Sequence, residues 1–142
     1  MKRALAERVA ATIRRNDQIA PGGEVTCLVS GGADSTCLWH VLGELGYRVA
    51  AVHVNHGLRG AESEDDARFC ADVLSATVIG ARDDRSQSPT EAALRAVRYE
   101  LTAGRGLRAT GHTASDQVET VLYRLVSSGS TKAIKMRRGD GV

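Results

Sequence analysis

Ser30-Gly31-Gly32-Ala33-Asp34-Ser35 follows the apolar run Val25-Thr26-Cys27-Leu28-Val29 directly and opens into Thr36-Cys37-Leu38-Trp39-His40-Val41-Leu42, a helix-like sequence. The order is strand, glycine-bearing turn, helix N-terminus. Two adjacent glycines let a backbone approach a ligand with no Cβ in the way. The unpaired N–H groups at a helix start, aided by the helix dipole, favour an anion. The stretch therefore reads as a phosphate cradle. Ser30 and Ser35 add hydroxyls, while Asp34 repels phosphate by itself and fits best as a carboxylate that holds Mg²⁺ against it. The competing reading is a plain turn in which Asp34 or Ser35 caps the helix.

Outward from this loop, strands and helices alternate. Leu5, Val9 and Ile13 recur at helical spacing over residues 3 to 15, and Pro21-Gly22-Gly23 marks a loop before a strand over about 24 to 29. The helix after the glycine loop runs to Leu45 and stops at Gly46. Arg48 to Val54 is a second strand, Glu62 to about Ser75 a helix, and Thr77-Val78-Ile79-Gly80 a β-branched third strand. Ser88, Pro89 and Glu91 are spaced as N-cap, first helical residue and capping-box partner for a helix reaching about Ala103. Leu107 to Gly111 is a fourth strand, and Ala114 to Ser127 a last helix with an apolar face. Short connections between alternating elements imply an α/β fold, a doubly wound parallel sheet. In such sheets ligands sit beyond the carboxyl ends of the strands, where the winding reverses. The polar segments Ser30–Ser35, Asn55–Arg59 and His112–Asp116 all fall there.

The 142 residues make one domain, short for an enzyme that holds a nucleotide and a macromolecule together. With 42% hydrophobic and 25% charged residues the composition is that of a soluble globular protein, without an apolar run long enough for a membrane span or a secretory leader. A cytoplasmic location is expected. Cys27, Cys37 and Cys70 form no C-x-x-C pair and read as reduced core thiols. A formal charge of +2 announces no nucleic acid, although Lys132, Lys135, Arg137 and Arg138 gather basic charge near the end.

The glycine loop lacks the Lys-Ser/Thr of a Walker loop and the third glycine of a dinucleotide fingerprint. It resembles the SGGxDS loop of the ATP pyrophosphatases, which cleave ATP to AMP and pyrophosphate while adenylating a substrate. Three further segments narrow the resemblance: His53-Val54-Asn55-His56-Gly57-Leu58-Arg59, Glu91 to Tyr99 with Arg95 and Arg98, and Gly111-His112-Thr113-Ala114-Ser115-Asp116-Gln117-Val118-Glu119-Thr120. Together with the loop they look like the tRNA(Ile)-lysidine synthetase family, over about Glu24 to Ser128. The resemblance implies a PP-loop ATP-binding domain with ATP and Mg²⁺ as cofactors, and L-lysine and the isoleucine tRNA with anticodon CAU as substrates. ATP adenylates the C2 oxygen of the wobble cytidine, and the lysine side-chain amine then displaces AMP.

The resemblance carries ATP contact to Ser30, Gly31, Gly32, Ala33, Asp34, Ser35, Asn55, His56 and Arg59. It carries catalytic roles to Asp34, Arg95, Arg98, His112 and Asp116, with Asp34 as the metal ligand. Each has a structural alternative: Glu91 and Arg95 as a helix ion pair, Asp116 in a capping box with Thr113, and Asn55 in turn chemistry around Gly57. Ser115 stands where the family commonly has a second aspartate, and Ser130 to Met136 replace a glycine-rich stretch. The family's sheet order, three-two-one-four-five, adds a strand beyond residue 142, so the chain reads as a domain truncated at its C-terminal end. A companion polypeptide or self-association is expected to complete it. Two alternatives are a nucleotide-binding module without turnover and another tRNA-modifying ATP pyrophosphatase.

Overall fold

The computed structural model describes residues 2–57, 60–80 and 90–111. Arg59, Ser88, Pro89, His112, Asp116 and the expected helix over 114–127 lie outside the described residues. The order is α1 (Lys2–Arg15), β1 (Glu24–Leu28), α2 (Ala33–Glu44), β2 (Arg48–Asn55), α3 (Ala61–Leu74), β3 (Thr77–Gly80), α4 (Glu91–Leu101) and β4 (Arg108–Thr110). All pairings are parallel and the sheet order is β3-β2-β1-β4. β1 is thus central, with Cys27 opposite both Ala51 and Ala109.

Strand alternation divides the core. Cys27, Val29 and Ala51 pack with Cys70 and Leu74 of α3, and with Leu38 and Trp39 of α2. Val25 and Leu42 meet Ile13 of α1 nearby. Leu28 and Val52, on alternate positions, pack instead with Tyr99 of α4. The winding therefore reverses between β1 and β4, as a doubly wound sheet requires. Among the described residues, β4 pairs with β1 alone.

Local chemistry explains the boundaries. Gly46 has φ +84° and sits one residue past the cap of α2; its amide donates to Gly43 O, and the Tyr47 amide donates to Leu42 O. This paired closure satisfies the last carbonyls of the helix and needs a residue at home with positive φ. The start of α4 differs from the expected one. Thr90, not Ser88, is the N-cap, its Oγ1 accepting from the Ala93 amide at 3.1 Å. Glu91 is consequently the first helical residue rather than the third, and it cannot close a capping box with Ser88.

The apolar stripe expected for α1 is only partly buried. In α1, Ile13 is buried and Val9 partly so, but Leu5 stays exposed. In α4 the buried residue is Tyr99, while Leu101 is exposed.

Candidate functional site

The glycine loop closes on itself through two hydroxyls. Ser35 is buried, and its Oγ accepts from the Ser30 amide at 3.0 Å and lies 3.1 Å from Ser30 Oγ. Ser30 Oγ in turn accepts from the Gly32 amide at 3.2 Å, and Thr36 Oγ1 donates to Gly32 O at 2.8 Å. Neither Asp34 nor Ser35 caps α2. The N-cap is Gly32, which has no side-chain cap hydrogen bond. The amides of Ala33, Asp34 and Ser35 stand in the first turn, where no intrahelical carbonyl reaches them. The helix start therefore keeps the anion-favouring character that the sequence suggested.

Glycine is required here at two points. Gly31 has φ +87°, and a Cβ on it would stand 3.1 Å from Asp66 Oδ1. A Cβ on Gly111, just after β4, would come within 3.0 Å of the Ser35 nitrogen and 3.1 Å of the Asp34 carbonyl carbon. The end of β4 thus lies directly against the first turn of α2.

Beside the loop, a cavity of about 350 Å³ opens at the carboxyl ends of β1 and β2. Ser30, Asn55 and His56 line it, as do Leu94 and Arg98 of α4 and Ser63 and Asp66 of α3. The sequence-derived residues Ser30, Asn55, His56 and Arg98 are brought together. Asn55 is also engaged in its turn, its Oδ1 accepting from the Gly57 amide at 2.9 Å and its Nδ2 donating to Glu64 Oε1 at 3.3 Å. Arg95 does not line the cavity, but its Nε is buried without a hydrogen-bond partner among the described residues. The side chain of Glu91 is outside the described residues, so the Glu91–Arg95 pair is too.

Three polar residues of the cavity, His53, Ser63 and Asp66, have no site role from sequence, although His53 heads one of the quoted motifs. His53 is buried, with Nδ1 2.7 Å from Val29 O, which ties β2 to the residue preceding the loop. A carbonyl only accepts, so Nδ1 carries a proton and donates it. Ser63 shares the inward face of α3 with Ala67, Cys70 and Leu74, so its helical period was the available signal.

Magnesium takes one or two carboxylates plus phosphate oxygens and water. Asp34 is exposed in the first turn of α2, and Asp66 holds its carboxylate close to Gly31, so these two residues suit such an ion. Among the described residues no three His, Cys, Asp or Glu side chains cluster for metal binding. The thiols stand apart from this chemistry. Cys27 is buried, and desolvation pushes it up to about 12; burial, then the charge of Asp66, pushes Cys70 up to about 11. Cys37 corrects the expectation of three core thiols, because it lies on the exposed side of α2. Among the described residues no helix is long and apolar enough to cross a membrane.

Residues 2–138 match the ATP-binding PP-loop domain. The chain is 42% identical over 126 residues to the tRNA(Ile)-lysidine synthase of Solibacter usitatus, covering 81% of this chain and 28% of that protein. It is 31% identical over 150 residues to the tRNA(Ile)-lysidine synthase of Dehalococcoides mccartyi, covering 92% of this chain and 32% of that protein. It is 34% identical over 162 residues to the tRNA(Ile)-lysidine synthase of Porphyromonas gingivalis, covering 100% of this chain and 36% of that protein. The chain spans about a third of the length of the curated relatives it matches. With the match running through every described element from α1 to β4, the chain belongs to the PP-loop domain family.

Proposed function

We propose that this chain is the ATP-binding catalytic unit of an enzyme that ligates lysine to the wobble cytidine of the isoleucine tRNA with anticodon CAU. The observation that carries the reading is the position of the self-closed Ser30–Ser35 loop, at the N-terminus of α2, beside a cavity that Arg98 of α4 lines. That arrangement has donors for a triphosphate on one side and room for a second reactant on the other. The similarity to tRNA(Ile)-lysidine synthases supplies the substrate.

In the first half-reaction the C2 oxygen of cytidine attacks the α-phosphorus of ATP, an O–P bond forms, and pyrophosphate leaves. In the second the neutral ε-amine of lysine attacks C2, the C2–O bond to AMP breaks, and the amine gives up its proton. The amides of Ala33, Asp34 and Ser35 offset charge on the phosphates, and the guanidinium groups of Arg95 and Arg98 offset the charge that builds on the departing pyrophosphate. Asp34 in the first turn of α2 and Asp66 beside Gly31 are suited to hold Mg²⁺, which would supply Lewis-acid neutralisation of the phosphate oxygens. His112 and Asp116, which follow β4 in the sequence, are given catalytic roles by the family resemblance alone. Asn55, His56 and Arg59 are assigned to the nucleoside or the amino acid.

The decisive experiment combines the chain with ATP, Mg²⁺, labelled lysine and the unmodified tRNA, and follows AMP, pyrophosphate and label in RNA. Lysine incorporation into a cytidine-34-containing fragment is the expected result. ATP binding without pyrophosphate release or labelled RNA would instead make the chain a nucleotide module whose turnover depends on a partner.

A further inference from the structure

Arg108 is only 4% exposed although it lies on the short strand β4. A guanidinium taken out of water must be met by oxygens or it destabilises the fold. It meets them at the last turn of α4. Its Nη1 donates to Tyr99 O at 2.6 Å and to Thr102 Oγ1 at 2.9 Å, and its central carbon stands 5.8 Å from the centre of the Tyr99 ring. Thr102 is fully buried and donates its Oγ1 proton to Arg98 O at 2.7 Å, leaving its lone pairs for Arg108. A positive charge at a helix C-terminus is also the sign that the helix dipole favours.

The chain of contacts runs from β4 through Thr102 to the backbone of Arg98, whose side chain lines the cavity. Arg108 does not itself line that cavity. Its bond to Tyr99 O fixes the axial position of α4, and its bond to Thr102 fixes the rotation of the last turn. Small rotations of a helix move the tip of a long side chain several times farther than its backbone.

We propose that Arg108 is a positioning residue for this site: it clamps the last turn of α4 to β4 and so holds Arg98 against the cavity. The proposal rests on the reading of the α4 arginines as nucleotide contacts, and it adds a residue from another strand to that machinery. A purely structural arginine would lower stability without any link to Arg98.

The test is a cycle of Arg108→Met, Arg98→Ala and the double variant in the full chain, with ATP affinity in Mg²⁺ measured by titration calorimetry and unfolding temperature recorded beside it. Arg108→Met is expected to weaken ATP about tenfold in the parent background and to add nothing once Arg98 is alanine. Arg108→Lys, which restores the charge, should recover part of the loss. Unchanged ATP affinity in Arg108→Met, or losses that add in full in the double variant, would overturn the clamp. If Arg98→Ala itself binds ATP normally, the nucleotide reading of α4 fails and the clamp has nothing to position. Weak binding by Arg98→Ala together with normal binding by Arg108→Met defeats the clamp alone. Should Arg108→Met not fold, Thr102→Val removes the bridging hydroxyl at constant size, and the same non-additivity with Arg98→Ala is required of it.

Discussion

Replacing Gly31 by alanine imposes two separable costs. Its φ of +87° is a conformation that an L-residue adopts at about 1–2 kcal/mol. The new Cβ would also stand 3.1 Å from Asp66 Oδ1, 3.2 Å from Asp66 Cβ and 3.3 Å from Asp66 Cγ. Because Cβ is among the crowded atoms, rotating the carboxylate away does not clear the contact, and Asp66 or α3 must shift, an overpacking cost of about 1–3 kcal/mol. Together the penalty is about 2–5 kcal/mol, which for a domain of this size lowers the unfolding temperature by about 6–20 °C.

Gly22 provides the matched control. It has φ +67° and nothing within 4 Å of an added Cβ, so Gly22→Ala carries the backbone cost of about 1–2 kcal/mol alone. Urea and thermal unfolding of both variants, and of Gly31→Ala combined with Asp66→Ala, separate the two costs. Gly31→Ala is expected to be the less stable single variant, and Asp66→Ala, which removes the carboxylate but leaves the Cβ 3.2 Å away, to return part of the difference when added to it. ATP affinity should fall in Gly31→Ala and be unaffected in Gly22→Ala. Equal stability of the two single variants, with no recovery on adding Asp66→Ala, would refute the claim that Asp66 crowds the loop.

Asp34→Ala is expected to lose the magnesium-dependent part of ATP binding and little of the metal-free part; equal affinities for the parent and the variant by calorimetry in Mg²⁺ would remove Asp34 from the metal site. Gly111→Ala, whose Cβ would meet the Ser35 nitrogen at 3.0 Å, presses on backbone that cannot rotate aside, so ATP affinity and unfolding temperature should fall together, and a change in neither would show that β4 and α2 separate freely. Thr90→Ala removes the N-cap of α4 and should cost about 1 kcal/mol in urea unfolding, with Thr90→Ser close to the parent. Cys27 and Cys70 are held neutral in the fold, whereas an unfolded chain ionises its thiols near 9. Above that pH the unfolded state binds fewer protons, so stability falls from about pH 9 through 11 and 12, and Cys27→Ala should make the fall shallower. Cys37, being exposed, should react first with a thiol reagent at pH 8.

Where the sequence carried a local signal, the fold was readable to the residue. Thr77–Gly80 is the third strand as its β-branched run implied, and Gly46 ends α2 because only the chain around it could close the last carbonyls. The order of the first four strands followed from the family resemblance and agrees with the pairing of β1 to β2 and β4. Competition between equivalent local choices was less legible. Ser88 and Thr90 both make reasonable caps, and only the hydrogen bond to the Ala93 amide decides between them. At the site, the strand-to-helix loop was legible because glycines and hydroxyls have few other uses there. Asp66 was not, since an acidic residue on α3 looks like any solvated helix position until the tertiary fold sets it against Gly31. Arg108 was hidden for the opposite reason: an arginine in a strand suggests an exposed edge, and its burial depends on a helix end supplied nine residues earlier.

The two serine hydroxyls that bridge the ends of the Ser30–Ser35 loop also have a kinetic meaning. A loop that already holds its own turn has little conformational freedom left to surrender, so a ligand arriving there meets its donors in place. Association is then governed by encounter and by the release of water from the amides rather than by a folding step. Differences in affinity among nucleotides should accordingly be written mainly in how long each one stays.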